Sequence, residues 1–469
     1  MRLSFHGADR GVTGSCHLIE CNDQRILIDC GLYQGGRELD EENAGSFGFE
    51  PADIDFVLLT HAHLDHCGRL PLLASRGFCG EVVTTAASRE LTRLILLDAA
   101  HLQEEEASYR TRKAKRRGKR HATVEPLYSV LDALNCLDHF GRVVKYDEPL
   151  SLAPGIQVTF LDTGHILGSA SILLQLEEAG AQRSILFSGD IGNDRRPLLR
   201  DPVTPAQADI VVMETTYGDR DHKALQPSVD ELYTAISETF QRGGNVIIPT
   251  FALERAQEIL YFLSQGVATG RLPGSMQLFL DSPMAISATR IFERHIDCYN
   301  AETAELFREG RDPFQLPGLH FTRETAESMA LNQINGGAVI MAGSGMCTGG
   351  RVRHHLKHNL WRRDSSIIFP GYAARGTLAR RIVDGAKRVR IFGEEIPVRA
   401  AIHTINGFSA HAGQAELLAW HNKISGVKRT FLVHGEEESM QVFASRLHNR
   451  EITLPVLNEG FELSAPEIS

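Results

Sequence analysis

Thr60–Gly68 reads Thr-His-Ala-His-Leu-Asp-His-Cys-Gly and sets His61, His63, Asp65 and His66 within six residues. Imidazole nitrogens beside a carboxylate are the donor set of a zinc-class cation, whereas a hard cation would take mostly oxygen. Four donors this close along the chain cannot all close on one tetrahedral ion without strain. A loop at a strand end can divide them, two to one ion and two to a neighbour. Donors of the same types recur downstream: His165 in Thr163–Ser169, Asp190 after Ser188-Gly189, and His434 before Gly435-Glu436. A consistent division puts His61, His63 and His165 on one ion and Asp65, His66 and His434 on the other, with Asp190 bridging. Two ions about 3.5–4 Å apart lower the pKa of a shared water and neutralise charge that develops on the attacked centre. A structural zinc site is closed by four ligands and has no use for seven, so the set implies a hydrolase. Glu214 and His411 are surplus to the ligand count. A carboxylate that orients a histidine fits it to protonate a leaving oxygen. Asp29 reads either as a loop cap or as the acceptor for the second nitrogen of a metal-bound histidine.

Short apolar runs precede most of these residues. Ile26–Ile28, Phe56–Leu59, Gln157–Leu161, Ser184–Phe187, Ile210–Met213 and Arg429–Val433 read as strands that deliver Asp29, the histidine cluster, His165, Asp190, Glu214 and His434. Glycines beside His165 and Asp190 allow close backbone approach. The pattern then changes. Strands at Asn245–Pro249, Gln277–Asp281, Gly337–Ala342 and Ser366–Pro370 alternate with helices. A capping-box signature at Ser228–Glu231 opens the first, and others follow at Leu253–Leu263, Arg351–Asn359 and near Thr377–Asp384. This alternation predicts a parallel sheet flanked by helices. The expected organisation is a first domain over 1–208, an inserted domain over 209–388, and a return to the first over 389–469.

The chain has 469 residues, 42% hydrophobic and 23% charged, in the ordinary range for a globular protein. Its formal charge of −10 does not announce a nucleic-acid binder, but local patches matter more than the sum. The eight cysteines form no Cys-x-x-Cys pair, no apolar run is long enough to span a membrane, and the N-terminus lacks the apolar core of a leader. A cytoplasmic protein is expected. The strongest charge run follows a helix predicted over Ser88–Ala107. Eight of the eleven residues Arg110–Arg120 are Lys or Arg and none is acidic. It reads as a solvated loop, or as a site that holds a polyanion by counterion release.

Thr60–His66, with Asp29, Gly164-His165 and Ser188-Gly189-Asp190, resembles the four-motif signature of the metallo-β-lactamase superfamily. Glu214, Phe408-Ser409-Ala410-His411 and Val433-His434-Gly435-Glu436 resemble motifs A, B and C of its β-CASP branch of nucleic-acid-processing nucleases. The resemblance covers essentially the whole chain. It implies an α/β fold: an αββα metallo-β-lactamase sandwich built from both chain ends, with a parallel-sheet β-CASP domain inserted as a cap. It implies two zinc ions, with manganese as an alternative, and phosphodiester hydrolysis in the cleft between domains. Histidine rather than an apolar residue at motif C is similar to the RNA-processing branch, which includes the nuclease subunit of the polyadenylation cleavage factor. The early first motif and the short stretch after motif C resemble the stand-alone bacterial form.

The reaction so implied is RNA cleavage by a hydroxide that two metals activate, with His411 as general acid and Glu214 as its partner. Ser344, Gly345, Arg351 and Arg375 are expected to position phosphates through backbone N–H and guanidinium contacts. RNA is the expected partner, without a membrane, and a homodimer is compatible. Two other readings share part of the pattern. A two-zinc hydrolase of a small-molecule ester or cyclic phosphodiester would not need Glu214 or the His411/His434 pair. A non-catalytic RNA-binding subunit would show damaged ligands.

Overall fold

The computed structural model describes residues 1–35, 37–117, 123–374, 376–448 and 451–463. They form two units: Met1–Asp221 together with His411–Ser469, and His222–Ala410.

The first unit contains two seven-stranded sheets. The first sheet runs in the order Gly460–Glu462, Arg2–Phe5, His17–Cys21, Gln24–Ile28, Phe56–Leu58, Glu81–Thr85, Phe140–Val144. Its second and third chain segments form a hairpin in which Cys21 faces Gln24 and His17 faces Ile28. The two turn residues, Asn22 and Asp23, have φ of 49° and 59°. That is the left-handed pair a tight hairpin turn demands, and Asn and Asp are the side chains that adopt it most readily after glycine. The second sheet runs in the order Glu451–Thr453, Arg429–Val433, Ile210–Glu214, Ala181–Phe187, Ala170–Glu178, Ile156–Asp162, Leu150–Ala153.

Alternation along the strands explains how the sheets stack. Phe5, Ile19, Ile26 and Ile28 of the first sheet meet Val158, Phe160, Ile172, Leu174, Ile185, Phe187, Val212, Phe431 and Val433 of the second in one buried core. The intervening residues Leu161, Leu186, Val211, Met213 and Leu432 point the other way. There they pack on Leu417 and Trp420 of the helix Gln414–Asn422 and on Met440 and Phe443 of the helix Glu437–Ala444. On the other sheet, the helix Ala86–Arg116 packs against Glu81–Thr85 and Phe140–Val144. The result is the expected helix–sheet–sheet–helix sandwich. Phe431 lies between Phe5 and Phe461, at ring separations of 5.0 and 4.9 Å. It thereby ties the late strand of one sheet to both ends of the chain in the other.

The second unit contains a six-stranded sheet in the order Leu319–Phe321, Gln277–Leu280, Ala338–Ala342, Val246–Pro249, Ser366–Phe369, Ala401–Thr404. Every pairing in it is parallel. The helices Val352–Asn359 and Leu378–Val383 cover one face, with Leu356, Ala379 and Ile382 against Ile247, Ile340 and Ile367.

Two expectations change. The units divide at 221/222 and 410/411, not at 208/209 and 388/389. Ile210–Glu214 pairs in parallel with both Ala181–Phe187 and Arg429–Val433, which makes it a central strand of the first unit. Ala401–Thr404 pairs with Ser366–Phe369 and belongs to the second. The basic run, read as a loop, is instead largely helical: the helix that was expected to stop at Ala107 continues to Arg116. Thr85 caps its start by accepting from the Ser88 N–H. Neither Gly nor Pro interrupts it before Gly118, Arg, Lys and Ala are strong helix formers, and cations at a C-terminal turn suit the helix dipole. Among the described residues no helix is long and apolar enough to cross a membrane.

Phe431→Ala would leave a cavity where three rings meet. The expected cost is about 3–5 kcal/mol, read as a fall in the denaturant midpoint with unchanged slope.

Candidate metal centre and active site

All seven expected metal donors, with Asp29, Glu214 and His411, lie in the first unit. Asp29 follows the strand Gln24–Ile28, and the Thr60–His66 segment follows Phe56–Leu58. His165 follows Ile156–Asp162, Asp190 follows Ala181–Phe187, Glu214 ends Ile210–Glu214, and His434 follows Arg429–Val433. The turns out of these strands are tight. Asp29 and His434 have φ of 60° and 49°, conformations that cost roughly 1–3 kcal/mol in a non-glycine residue and persist where the surroundings hold them. Gly189, at φ 55°, lies where a Cβ would come 2.8 Å from the Ala170 carbonyl oxygen and 3.1 Å from Thr60 Cβ. Only glycine lets the loop carrying Asp190 pass so close to the histidine cluster.

The donors converge as two groups. His61 Nε2 lies 3.1 Å from His63 Nδ1, which lies 3.2 Å from His165 Nε2. His61 Nε2 and His165 Nε2 are each 3.4 Å from Asp190 Oδ2. In the other group, His66 Nε2 lies 3.2 Å from His434 Nε2 and 3.3 Å from Asp190 Oδ1. His434 Nε2 lies 3.6 Å from Asp65 Oδ2. A tetrahedral ion with bonds of 2.0–2.1 Å has ligand–ligand edges of about 3.3 Å, which both groups approximate. The Asp190 carboxylate is 1% exposed, and neither of its oxygens has a hydrogen-bond partner. A buried carboxylate in that condition needs positive charge beside it. The donor set and its spacing therefore fit zinc-class cations.

Neighbouring groups fix the rings. Asp29 Oδ2 accepts from His66 Nδ1 at 2.7 Å, which turns the Nε2 lone pair toward the site. The same carboxylate accepts from the Thr60 N–H and hydroxyl, both at 2.8 Å. Asp29 is thus both loop cap and histidine acceptor. Thr60 Oγ1 lies 3.0 Å from His61 Nδ1, and Thr216 Oγ1 lies 3.2 Å from His434 Nδ1. These two threonines received no role from sequence reasoning. The available signal was a hydroxyl residue adjacent to or two places from an acid or ligand, in Thr60-His61 and Glu214-Thr215-Thr216.

Electrostatics divide the histidines. Burial pushes His61 down to about 4, His63 to about 3, and His165 well below its ordinary value, so all three keep neutral, metal-ready rings. Burial acts the same way on His66, but the Asp190 and Asp29 carboxylates outweigh it and hold the ring well above the usual range. Burial on His434 is likewise overcome by Asp190 and Asp65. Asp190 itself is held well below the usual carboxylate range: the surrounding histidines, His434 and His66 foremost, overcome a burial that would raise it. The carboxylates demand positive charge here, and protons on His66 and His434 compete with a cation for the same nitrogens.

His411 sits beside this centre. Its residue pairs with Gly192 in an isolated antiparallel bridge, and the Ala412 N–H donates to the Ile191 carbonyl at 2.8 Å. Its Nδ1 lies 3.4 Å from Glu214 Oε1 and 4.0 Å from Asp190 Oδ2, with the side chain 21% exposed and Glu214 fully buried. Glu214 is fixed in turn by the N–H groups of Ile191 at 2.6 Å and Thr216 at 3.2 Å. Burial would lower His411, but the carboxylates of Glu214 and Asp190 dominate and push it up to about 9. Its ring centroid is 4.5 Å from that of His165. The arrangement favours a protonated ring beside the donor groups.

The residues expected to contact phosphate fall outside the first unit or outside the described residues. Ser344, Gly345 and Arg351 belong to the second unit, and Arg375 lies outside the described residues. Arg351, expected to contact phosphate, engages its guanidinium within the second unit. It donates to Asp281 Oδ1 at 2.7 Å and to the carbonyls of Thr322 at 3.1 Å and Arg323 at 2.6 Å. Asp281 is fully buried, and a buried carboxylate draws the nearest guanidinium inward. Gly345 abuts the Phe251 ring, where a Cβ would come to 3.0 Å, so tight packing accounts for that glycine. The Ser344 hydroxyl closes a local turn with Gly349 at 3.4–3.5 Å.

Comparison with known proteins adds the following. The family described as the metallo-beta-lactamase superfamily matches residues 9–237, the Beta-Casp domain 256–382, and the Zn-dependent metallo-hydrolase RNA specificity domain 395–457. A Thermus thermophilus protein named Ribonuclease TTHA0252 is 40% identical, covering 98% of this chain and 99% of its own length. A Methanocaldococcus jannaschii protein named Transcription termination factor FttA is 31% identical over 97% of this chain and 70% of its own. An RNase J-like protein of the same organism is 30% identical over 94% of each. A crystal structure of a protein of unknown function from Enterococcus faecalis superposes with a TM-score of 0.56 at 12% identity, covering 98% of this chain and 99% of that one, and shares the fold.

Zinc at about 100 times its dissociation constant should stabilise the chelator-stripped protein by about 2.7 kcal/mol, seen as a rise in melting temperature. Binding displaces protons from His66 and His434, so at one fixed zinc concentration the rise should be larger at about pH 8 than at about pH 6. Asp190→Asn should lose metal from both cages, measured by elemental analysis of the purified protein.

Proposed function

We propose that this chain, which belongs to the metallo-β-lactamase superfamily in its Beta-Casp branch, is a ribonuclease that uses two zinc ions to hydrolyse RNA phosphodiester bonds. It is a metal-dependent hydrolase by family. The observation that carries the two-ion reading is Asp190, a buried carboxylate whose two oxygens each face a different histidine group, with His411 farther off at 4.0 Å. His61, His63 and His165 would hold one ion, and Asp65, His66 and His434 the other. Ions bound there would supply positive charge against the phosphoryl oxygens and a water of lowered pKa.

The chain's own residues do the rest. His411 carries the proton destined for the departing 3′-oxygen, so the products are a 3′-hydroxyl and a 5′-phosphate. Glu214 orients the His411 ring through Nδ1 and stabilises its charged form. The name of the relative that is 40% identical supports RNA as the substrate. All eight cysteines are free and seven are buried, which supports a reducing, cytoplasmic setting.

Incubation of zinc-loaded protein with end-labelled single-stranded RNA should yield 5′-phosphorylated fragments; hydrolysis of a generic ester without RNA cleavage would reject the reading. His411→Ala should lower kcat by about 10²–10⁴ while both ions remain bound. His411 must be protonated to act, so the rate should fall as pH rises through its pKa. Bound cations would draw that pKa below the value its carboxylates alone would set. Glu214→Gln removes one of those carboxylates, and the alkaline limb of the kcat profile should move to lower pH.

A further inference from the structure

The basic helix end has no part in the chemistry above, and its geometry is specific. The helix Ala86–Arg116 starts on the active-site loop. The Thr85 hydroxyl and the Ser88 hydroxyl both donate to the Gly168 carbonyl, at 2.7 and 2.8 Å, within the loop that carries His165. At 1.5 Å per residue, its last turns lie roughly 40 Å from that loop.

Charge along the helix switches sign at one point. Glu104, Glu105 and Glu106 are followed, from Ala107 to Arg117, by six cations and no acid. Ala107, Thr111 and Ala114 form one inward stripe, at i, i+4 and i+7. Thr111 is tied to the returning chain by a hydroxyl that accepts from the Val124 N–H at 2.9 Å. Arg110, Arg112, Lys113, Lys115, Arg116 and Arg117 occupy the remaining circumference, and all six are exposed. Arg110 pairs with Glu106 at 2.7 Å. Among the described residues no carboxylate pairs with the other five. Lys113 alone of those finds another partner, the Tyr109 ring, at 5.7 Å.

Cations at a C-terminal turn suit the helix dipole, but that effect reaches only the last turn and needs one or two charges. Five unpaired cations in six residues repel one another, on a protein whose net charge is −10. A surface that concentrates like charge around three sides of an exposed helix matches a polyanion with regularly spaced charges. We propose that Arg112–Arg117 is a docking arm for the sugar–phosphate backbone of RNA, engaged by substrates long enough to reach from the metal centre along the helix. The arm reads phosphates and not bases, since its side chains are long, flexible cations and, among the described residues, the Tyr109 ring alone contacts one of them. This inference rests on the ribonuclease reading for its choice of polyanion.

The test is a variant in which Arg112, Lys113, Lys115, Arg116 and Arg117 are all replaced by Gln, which keeps helix propensity and leaves the Arg110–Glu106 pair intact. Circular dichroism and metal content establish that it folds. kcat/KM is then measured on RNAs of about 5 and about 40 nucleotides across a salt series. The expected result is a loss of about tenfold or more on the long RNA at low salt, a log–log salt slope shallower by about 2–3, and no change on the short one. Replacing the five positions with Lys throughout should restore the long-RNA rate. An equal loss on both lengths, or no loss on either, overturns the arm. If the unmodified protein cleaves neither RNA, the ribonuclease reading fails separately. The arm is still tested by anisotropy of a labelled 40-nucleotide RNA with chelator present, which the Gln variant should bind about tenfold more weakly. Unchanged RNA affinity in the variant, with poly-glutamate held by the original protein and released by the variant, would overturn it in favour of an acidic protein partner.

Discussion

Burial of the Asp190 carboxylate without a hydrogen bond is the constraint on which the first unit's geometry depends. Removing an ionised carboxylate from water costs several kcal/mol even after relaxation, and here no N–H or hydroxyl offsets it. Five imidazoles stand around it instead: His61 and His165 at one oxygen, His66 and His434 at the other, and His411 at the margin. Each oxygen faces a different set. That arrangement is stable only when positive charge stands beside the carboxylate. Asp29, Thr60 and Thr216 make sense from this standpoint, because each aims a nitrogen inward and away from the backbone.

The same constraint explains why the chain must return to where it began. Asp190 ends one central strand of the second sheet, and its two neighbouring strands in that direction end at Glu214 and His434. The order Arg429–Val433, Ile210–Glu214, Ala181–Phe187 brings three strand ends side by side, although more than 200 residues separate Glu214 from His434 along the chain. Those neighbours run parallel, and parallel neighbours need crossover connections. Here one crossover holds an entire second unit with its own sheet and core. Packing of Phe431 against Phe5 and Phe461 fixes the return from both chain ends at once.

His411 differs from the metal donors in what it faces. Its Nδ1 lies nearest a fully buried glutamate that two backbone N–H groups immobilise, with the Asp190 carboxylate farther off. A histidine held by a carboxylate on one nitrogen keeps its proton at the other side of the ring available for transfer. The His165 and His411 rings stand 4.5 Å apart, and the proposed hydrolysis needs both a source of water and a group that protonates the leaving oxygen.

The donor types, their convergence as clustered groups, the sandwich and the inserted parallel sheet were all legible in the sequence. Metal donors must be His, Asp or Glu, and they sit at the ends of short apolar runs whose period declares them strands. The surplus of Glu214 and His411 over a ligand count was legible for the same reason. What the sequence left open depended on neighbours that are distant in the chain. Asp29 proved to be cap and acceptor together because Thr60 and His66 converge on one carboxylate. Arg351 turned inward because the buried Asp281, 70 positions earlier, attracts it more strongly than solvent does. The unit boundaries moved because strand pairing, not composition, decides which sheet a segment joins. The basic run became helix because no breaker stops a helix already capped at Thr85, although a count of charges alone reads as loop. Local chemistry is written in residue types and spacing; partners are chosen by the fold, because a hydrogen bond or ion pair forms with whatever group tertiary packing brings within reach.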